Sequence, residues 1–80
     1  MKVKGEITMD PKLIGKFICD NRKKQGLSQK ELADKLNITD KAISKWERGL
    51  SFPDISMLIP LSEILNITLY DLLTGGQEHD

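Results

Sequence analysis

The sequence predicts an all-α domain, a compact bundle of five short helices, and three observations carry that expectation. Helix-start chemistry appears three times, at Ser28, Thr39 and Thr68. Apolar residues recur at helical spacing around those starts. The composition agrees, because 80 residues with 39% hydrophobic but only 5% aromatic content suit one domain with a modest core.

The first helix is expected from Pro11 to about Lys24, opened by the Asp10-Pro11 start signal. Leu13, Ile14, Phe17 and Ile18 give it an apolar stripe, and Gly26 closes it. Ser28 then caps a helix over Gln29 to Leu36, with Glu31 placed to complete a capping box and Leu27 and Leu32 flanking it as a hydrophobic staple. Leu32, Ala33 and Leu36 form its apolar side, and Ala33 is small enough to let two backbones approach. Asn37 tolerates the left-handed conformation that ends a helix. Only Asn37 and Ile38 precede the next cap, so the turn is sharp. Thr39 starts the third helix, Asp40 to Arg48, with Ile38 and Ile43 as its staple and Gly49 at its end.

The fourth helix lies within Ile55 to Leu65, with Leu58, Leu61 and Leu65 as its stripe and Asn66 closing it. Pro60 sits inside this span, where a missing N–H and a ring clash cost about 3 kcal/mol. Either the helix begins near Ser56, with Pro60 at the edge of the first turn, or it begins after Asp54 and kinks. Asp54 after Pro53 is a good cap and favours the kink. The fifth helix, Leu69 to Leu73, starts at Thr68 with Asp71 to close a box and Ile67 and Leu72 as staple.

On a wheel of about 100° per residue, Asp40, Lys41, Ser44, Lys45 and Arg48 gather on one arc of the third helix, and Ala42, Ile43 and Trp46 fall opposite. Two short helices joined by a tight turn, the second presenting polar residues outward, suit insertion into the major groove of double-stranded DNA. Lys41 and Lys45 can each donate to guanine or to a phosphate, and Ser44 can bond either kind of base edge. Asp40 reads two ways. Its carboxylate can accept from the cytosine amino group, or it can merely cap the helix. Ser28, Gln29, Thr39 and Arg48, at helix ends, are the candidate phosphate contacts that fix register. Trp46 is expected to be a core ring, turned away from the groove.

The segments LSQKELADKL, NITDKAISKWERG, Pro53 to Leu65 and ITLYDLL, in this order, resemble the phage Cro and repressor helix-turn-helix family, also called the xenobiotic-response-element type. The resemblance covers Ile14 to Leu73. It implies a lambda-repressor-like fold, a phosphate-contacting position at Gln29, and base readers along the outward arc of the third helix. Arg22 and Glu47 match a pair that family members join as an ion pair between the first and third helices. From the residues alone they are either that pair or two surface charges. Asn37 stands where many members have Gly, and Asp40 brings a negative charge to the start of the reading helix.

The formal net charge is zero, yet the charges are segregated. From residue 12 to 48 there are ten basic residues against five acidic ones, whereas residues 49 to 80 hold five acids and no Lys or Arg. Such a dipolar molecule would approach DNA with its basic motif forward. A lone Cys19 excludes an internal disulfide and a multi-cysteine zinc site, and its position is that of a buried thiol. His79 stands alone in a polar tail, so no metal, cofactor, small-molecule ligand or catalytic centre is expected. No apolar run approaches the roughly 18 residues that span a membrane, nor does the N-terminus read as a signal peptide. A cytoplasmic location follows as an expectation.

Residues 1–10 read as an arm, either native or left by cloning, 11–74 as the domain, and 75–80 as a flexible tail. The leading reading is a sequence-specific DNA-binding transcriptional regulator that represses by occupying a palindromic operator as a homodimer. Leu69, Tyr70 and Leu73 either form the dimer contact or pack internally. Two other readings stand beside it: an antitoxin or adaptor whose main partner is a protein, and the DNA-targeting fragment of a longer regulator.

Overall fold

The computed structural model describes residues 9–77. Helices α1 (Pro11–Lys24), α2 (Gln29–Leu36), α3 (Asp40–Glu47), α4 (Ile55–Leu65) and α5 (Leu69–Thr74) follow one another, with no strand among the described residues. Residues 1–8 and 78–80, including most of the expected arm and His79, lie outside that description.

Local chemistry sets the helix starts. Asp10 accepts from the Lys12 amide ahead of Pro11. Ser28 and Glu31 exchange both bonds of the capping box. Thr39 accepts from Ala42 N–H, and Thr68 from Asp71 N–H. At Thr68 only half of the expected box forms, since Asp71 gives no bond in return. Asn37 (φ 62°) and Asn66 (φ 57°) end α2 and α4 in the left-handed conformation that Asn tolerates better than most residues. The staple residues Leu27, Ile38 and Ile67 lie half-buried against the core.

Two ends differ from the sequence reading. Arg48 is the C-cap of α3, not its last residue, and α5 runs on to Thr74. Gly75 to Gln77, expected in the tail, form the turn that closes α5, and the Gly76 amide donates to the Asp71 carbonyl at 2.9 Å. A Cβ on Gly75 would stand 2.8 Å from the Leu13 carbonyl carbon, so this turn lies directly on α1. Pro60 lies inside an unbroken α4 that begins after Asp54, whose side chain makes no capping bond. The Ser56 carbonyl loses its helical donor at Pro60, and Ser56 is exposed, where water can replace that donor.

Ile14, Ile18, Leu32, Ala33, Leu36, Ile43, Trp46, Leu61, Leu65 and Leu72 form the core. Trp46 is buried, as its position on the wheel requires. Leu13, expected in the stripe of α1, is exposed, and Cys19 is half-buried. Both lie at the margins of a stripe narrower than sequence spacing implies, because α3 and α5 cover only part of α1.

Gly15 sets how closely α1 and α3 pack. A Cβ there would collide with the Trp46 carbonyl oxygen and lie 3.0 Å from that of Glu47, so the two backbones touch with no side chain between them. Gly15→Ala should therefore destabilise the domain by about 1–3 kcal/mol, although Ala is the better helix former by about 1 kcal/mol. Urea unfolding monitored through Trp46 measures the difference; equal or higher stability would mean that α1 and α3 can separate freely.

Candidate nucleic-acid interface

The last turns of α1 and α3 meet the first residue of α2 in one hydrogen-bonded group. Arg22 Nε donates to Glu47 Oε2 at 2.7 Å, and Nη2 donates to Oε1 at 3.1 Å, a bidentate geometry that fixes both side chains. Arg22 Nη1 donates to the Leu27 carbonyl at 2.7 Å, and Nη2 also faces Cys19 Sγ at 3.6 Å. Gln29 Nε2 donates to Glu47 Oε1 at 2.9 Å. The side chains of Arg22 and Glu47 are only 9% and 6% exposed, which makes this a buried pair rather than two surface charges.

Opposing influences set the Glu47 carboxyl. Burial pushes it up, but hydrogen bonds from Arg22 and Gln29, with the attraction of the guanidinium, outweigh burial and hold it below the usual carboxylate range. Arg22 is raised, chiefly by its hydrogen bond to Glu47.

Anchored in this way, α3 turns its other flank to solvent. Asp40, Lys41, Lys45 and Arg48 are exposed there, and Ser44 is half-buried. No ion pair among the described residues engages Lys41 or Lys45. Thr39 holds the cap position of α3, so the Asp40 carboxylate is not the cap and stands in the first turn beside the positive helix end. Arg48, also exposed, bends back, its Nε donating to the Ser44 carbonyl at 3.3 Å.

The expected phosphate contacts divide between the two ends of α3. Gln29 is tied to Glu47 near its C-terminal end, with Ser28 preceding it and Arg48 following Glu47 in sequence. Thr39 lies at the N-terminal end. The Ser28 and Thr39 hydroxyls accept from backbone amides and keep their own O–H to donate. Among the expected dimer residues, Leu69 packs on the core, Leu73 lines an apolar groove and Tyr70 is exposed. Among the described residues no three His, Cys, Asp or Glu side chains converge where a metal ion could be held.

Sequence reading missed two contributors. Gly15 shares a face with Ile18 and Arg22, at i, i+3 and i+7, and a small residue within such a stripe is the available signal. The bond from Gln29 to Glu47 spans 18 positions, and no local pattern announces it.

Glu47→Ala leaves Arg22 buried without its counter-ion and should lower stability by about 3–5 kcal/mol. Because the Glu47 pKa is depressed in the folded state, the pair contributes fully at neutral pH and loses its contribution as the pH falls through the folded pKa. Denaturant unfolding of both proteins from neutral to acid pH should show a gap that narrows in acid. An equal melting temperature at neutral pH would place the pair in solvent.

The family model described as Helix-turn-helix matches residues 20–72. The HTH-type transcriptional regulator ImmR of Bacillus subtilis (strain 168) is 40% identical over 65 residues, which are 81% of this chain and 50% of ImmR. This chain thus spans about half of that relative's length. The P22 c2 repressor, solved with a synthetic operator, is 34% identical with a TM-score of 0.74, over 78% of this chain and 94% of that one. The biofilm regulator SinR, solved in complex with DNA, is 36% identical with a TM-score of 0.68, over 75% and 97%. No helix among the described residues is long and apolar enough to cross a membrane. The buried Arg22–Glu47 pair, the turn at Asn37 and these likenesses lead to one conclusion: the chain belongs to the helix-turn-helix family, with a repressor-like five-helix fold.

Proposed function

We propose that the chain is a sequence-specific DNA-binding regulator, acting in the cytoplasm as a repressor that occupies a palindromic operator as a homodimer. The observation that carries this reading is the outward flank of α3. Lys41 and Lys45 are exposed and unpaired on a helix whose far side is held by a buried ion pair, so their charges are available to a duplex without disturbing the fold. Lys41, Ser44 and Lys45 read base edges in the major groove. Asp40 accepts from a cytosine amino group.

Ser28, Gln29, Thr39 and Arg48 contact phosphates on either side of that groove. Gln29 has a second function in this scheme, because its bond to Glu47 orients the amide that faces the backbone of the duplex. Two copies on one face of B-DNA place their reading helices about 34 Å apart, one helical turn. The relatives solved with an operator or with DNA support the reading by their likeness.

Selection from a random DNA pool, followed by binding over a salt series, tests it. The pool should return an inverted repeat. Lys45→Ala should cost about 1–3 kcal/mol on that operator and relax selectivity at one base pair; a uniform loss on all sequences would reassign Lys45 to phosphate. Asp40→Asn should relax selectivity at one C·G pair, and a uniform gain in affinity would reduce Asp40 to a source of phosphate repulsion. A pool without enrichment, with binding unchanged after loss of both Lys41 and Lys45, would favour a protein partner instead.

A further inference from the structure

Of the four side chains proposed to meet phosphates, Ser28, Gln29 and Thr39 are neutral, and only Arg48 carries a charge. Neutral donors position a duplex, but affinity for its backbone comes from cations that displace counterions. Among the described residues most other cations are committed or stand elsewhere. Arg22 is buried against Glu47, and Lys16 and Lys30 pair with Asp20 and Asp34 at 2.9 and 3.6 Å. Lys23 and Lys24 stand in the last turn of α1. Lys35 lines a groove with Gln25, Leu27 and Ile64, on the side of α2 that meets α4.

Lys12 differs from these. It stands exposed in the first turn of α1, and no ion pair among the described residues engages it. A Cβ on Gly49 would lie 2.8 Å from Lys12 Cγ and 2.9 Å from its Cα, so this side chain sets out against the residue that follows Arg48. The register of α1 explains the contact. Lys12, Gly15, Cys19 and Arg22 succeed one another at i, i+3, i+7 and i+10, one side of a helix. Gly15 lies against the Trp46 and Glu47 carbonyls, and Arg22 holds the Glu47 carboxylate. The side of α1 that grips the end of α3 thus emerges at its first turn as an unpaired ammonium near Arg48.

We infer that Lys12 is a further phosphate-contacting residue, forming with Arg48 a clamp of two cations on the duplex backbone at the C-terminal end of α3. This rests on the DNA reading proposed above and supplies charge where Ser28 and Gln29 supply only neutral donors. Arg48, whose Nε is held by the Ser44 carbonyl, is the more fixed of the two. The flexible lysine stem lets a point charge follow a phosphate oxygen without the planar fork of arginine. Such a contact carries no sequence information, and it steepens the fall of affinity with salt. A cation here that merely balanced the negative end of α3 would act on stability, not on DNA.

Duplex binding over a salt series, with Lys12→Gln, Lys12→Arg and Lys35→Gln beside wild type, tests the clamp. Lys12→Gln should weaken binding equally on a selected operator and on unrelated duplex, and lower the salt slope by about one. With roughly −0.9 in slope per contact, its deficit should shrink about threefold between about 50 and about 200 mM salt. Lys12→Arg should keep the wild-type slope. Lys35→Gln removes the same charge from another side of the domain and should keep it too. Both positions are exposed, so melting temperatures should match wild type. A wild-type slope in Lys12→Gln overturns the inference. So does a deficit that Lys35→Gln reproduces, since the effect would then belong to net charge. A loss confined to the operator would make Lys12 a base reader, and a lowered melting temperature with unchanged DNA binding would assign it to the end of α3; either overturns the clamp. Failure of the DNA reading looks different: wild type would then bind no duplex at any salt, and the clamp would fall with it.

Discussion

The Arg22–Glu47 pair is the constraint from which the arrangement of α1, α2 and α3 follows. Moving two ions out of water costs several kcal/mol each, and one attraction between them would not offset that cost. Here the remaining bonding capacity is also filled. The Leu27 carbonyl takes a third guanidinium nitrogen, and Gln29 supplies a further donor to the carboxylate. The charges are therefore tolerated in only one geometry, and that geometry fixes α3 against both neighbours. Gly15 makes it reachable by letting the α1 backbone touch the end of α3.

This organisation links stability to the shape of the outward flank. The residues proposed to read DNA are exposed, apart from half-buried Ser44, so their placement depends on the opposite side of the same helix. Ile43 and Trp46 supply its apolar grip, and Glu47 supplies its orientation. Through Gln29, the carboxylate that locks the fold also touches a residue proposed to meet phosphate. Changes at Glu47 are therefore felt in two ways, as lost stability and as a Gln29 amide without its guide.

The legible part of the structure was the part written locally. Ser28 with Glu31, Thr39, Thr68 and the left-handed asparagines act within a few residues, and helix starts and turns appear where those residues predict. The outward arc of α3 was legible for the same reason, as a periodicity within one helix. The Arg22–Glu47 contact was reached through family resemblance, since 25 positions separate its partners. Gly15, the exposure of Leu13, the half-burial of Cys19 and the closing turn at Gly75 depend on which neighbour covers which part of α1. Hydrophobic spacing in α1 alone does not encode that coverage. Pro60 left two starts open for α4, and the favoured one, after Asp54 with the proline inside the helix, is the one found.

The separation of bases from acids along a chain of zero net charge has a consequence for encounters with a polyanion. A molecule without a monopole feels little pull at long range, and ions damp what remains beyond about 8 Å at physiological ionic strength. Collisions would begin almost unguided, and the field would act only in the final ångströms, turning the lysine-bearing side inward and pushing the carboxylate-rich side away. Rapid capture from a distance would be surrendered. What would be retained is rejection of wrongly oriented contacts, which would limit idle sticking along nonspecific sequence.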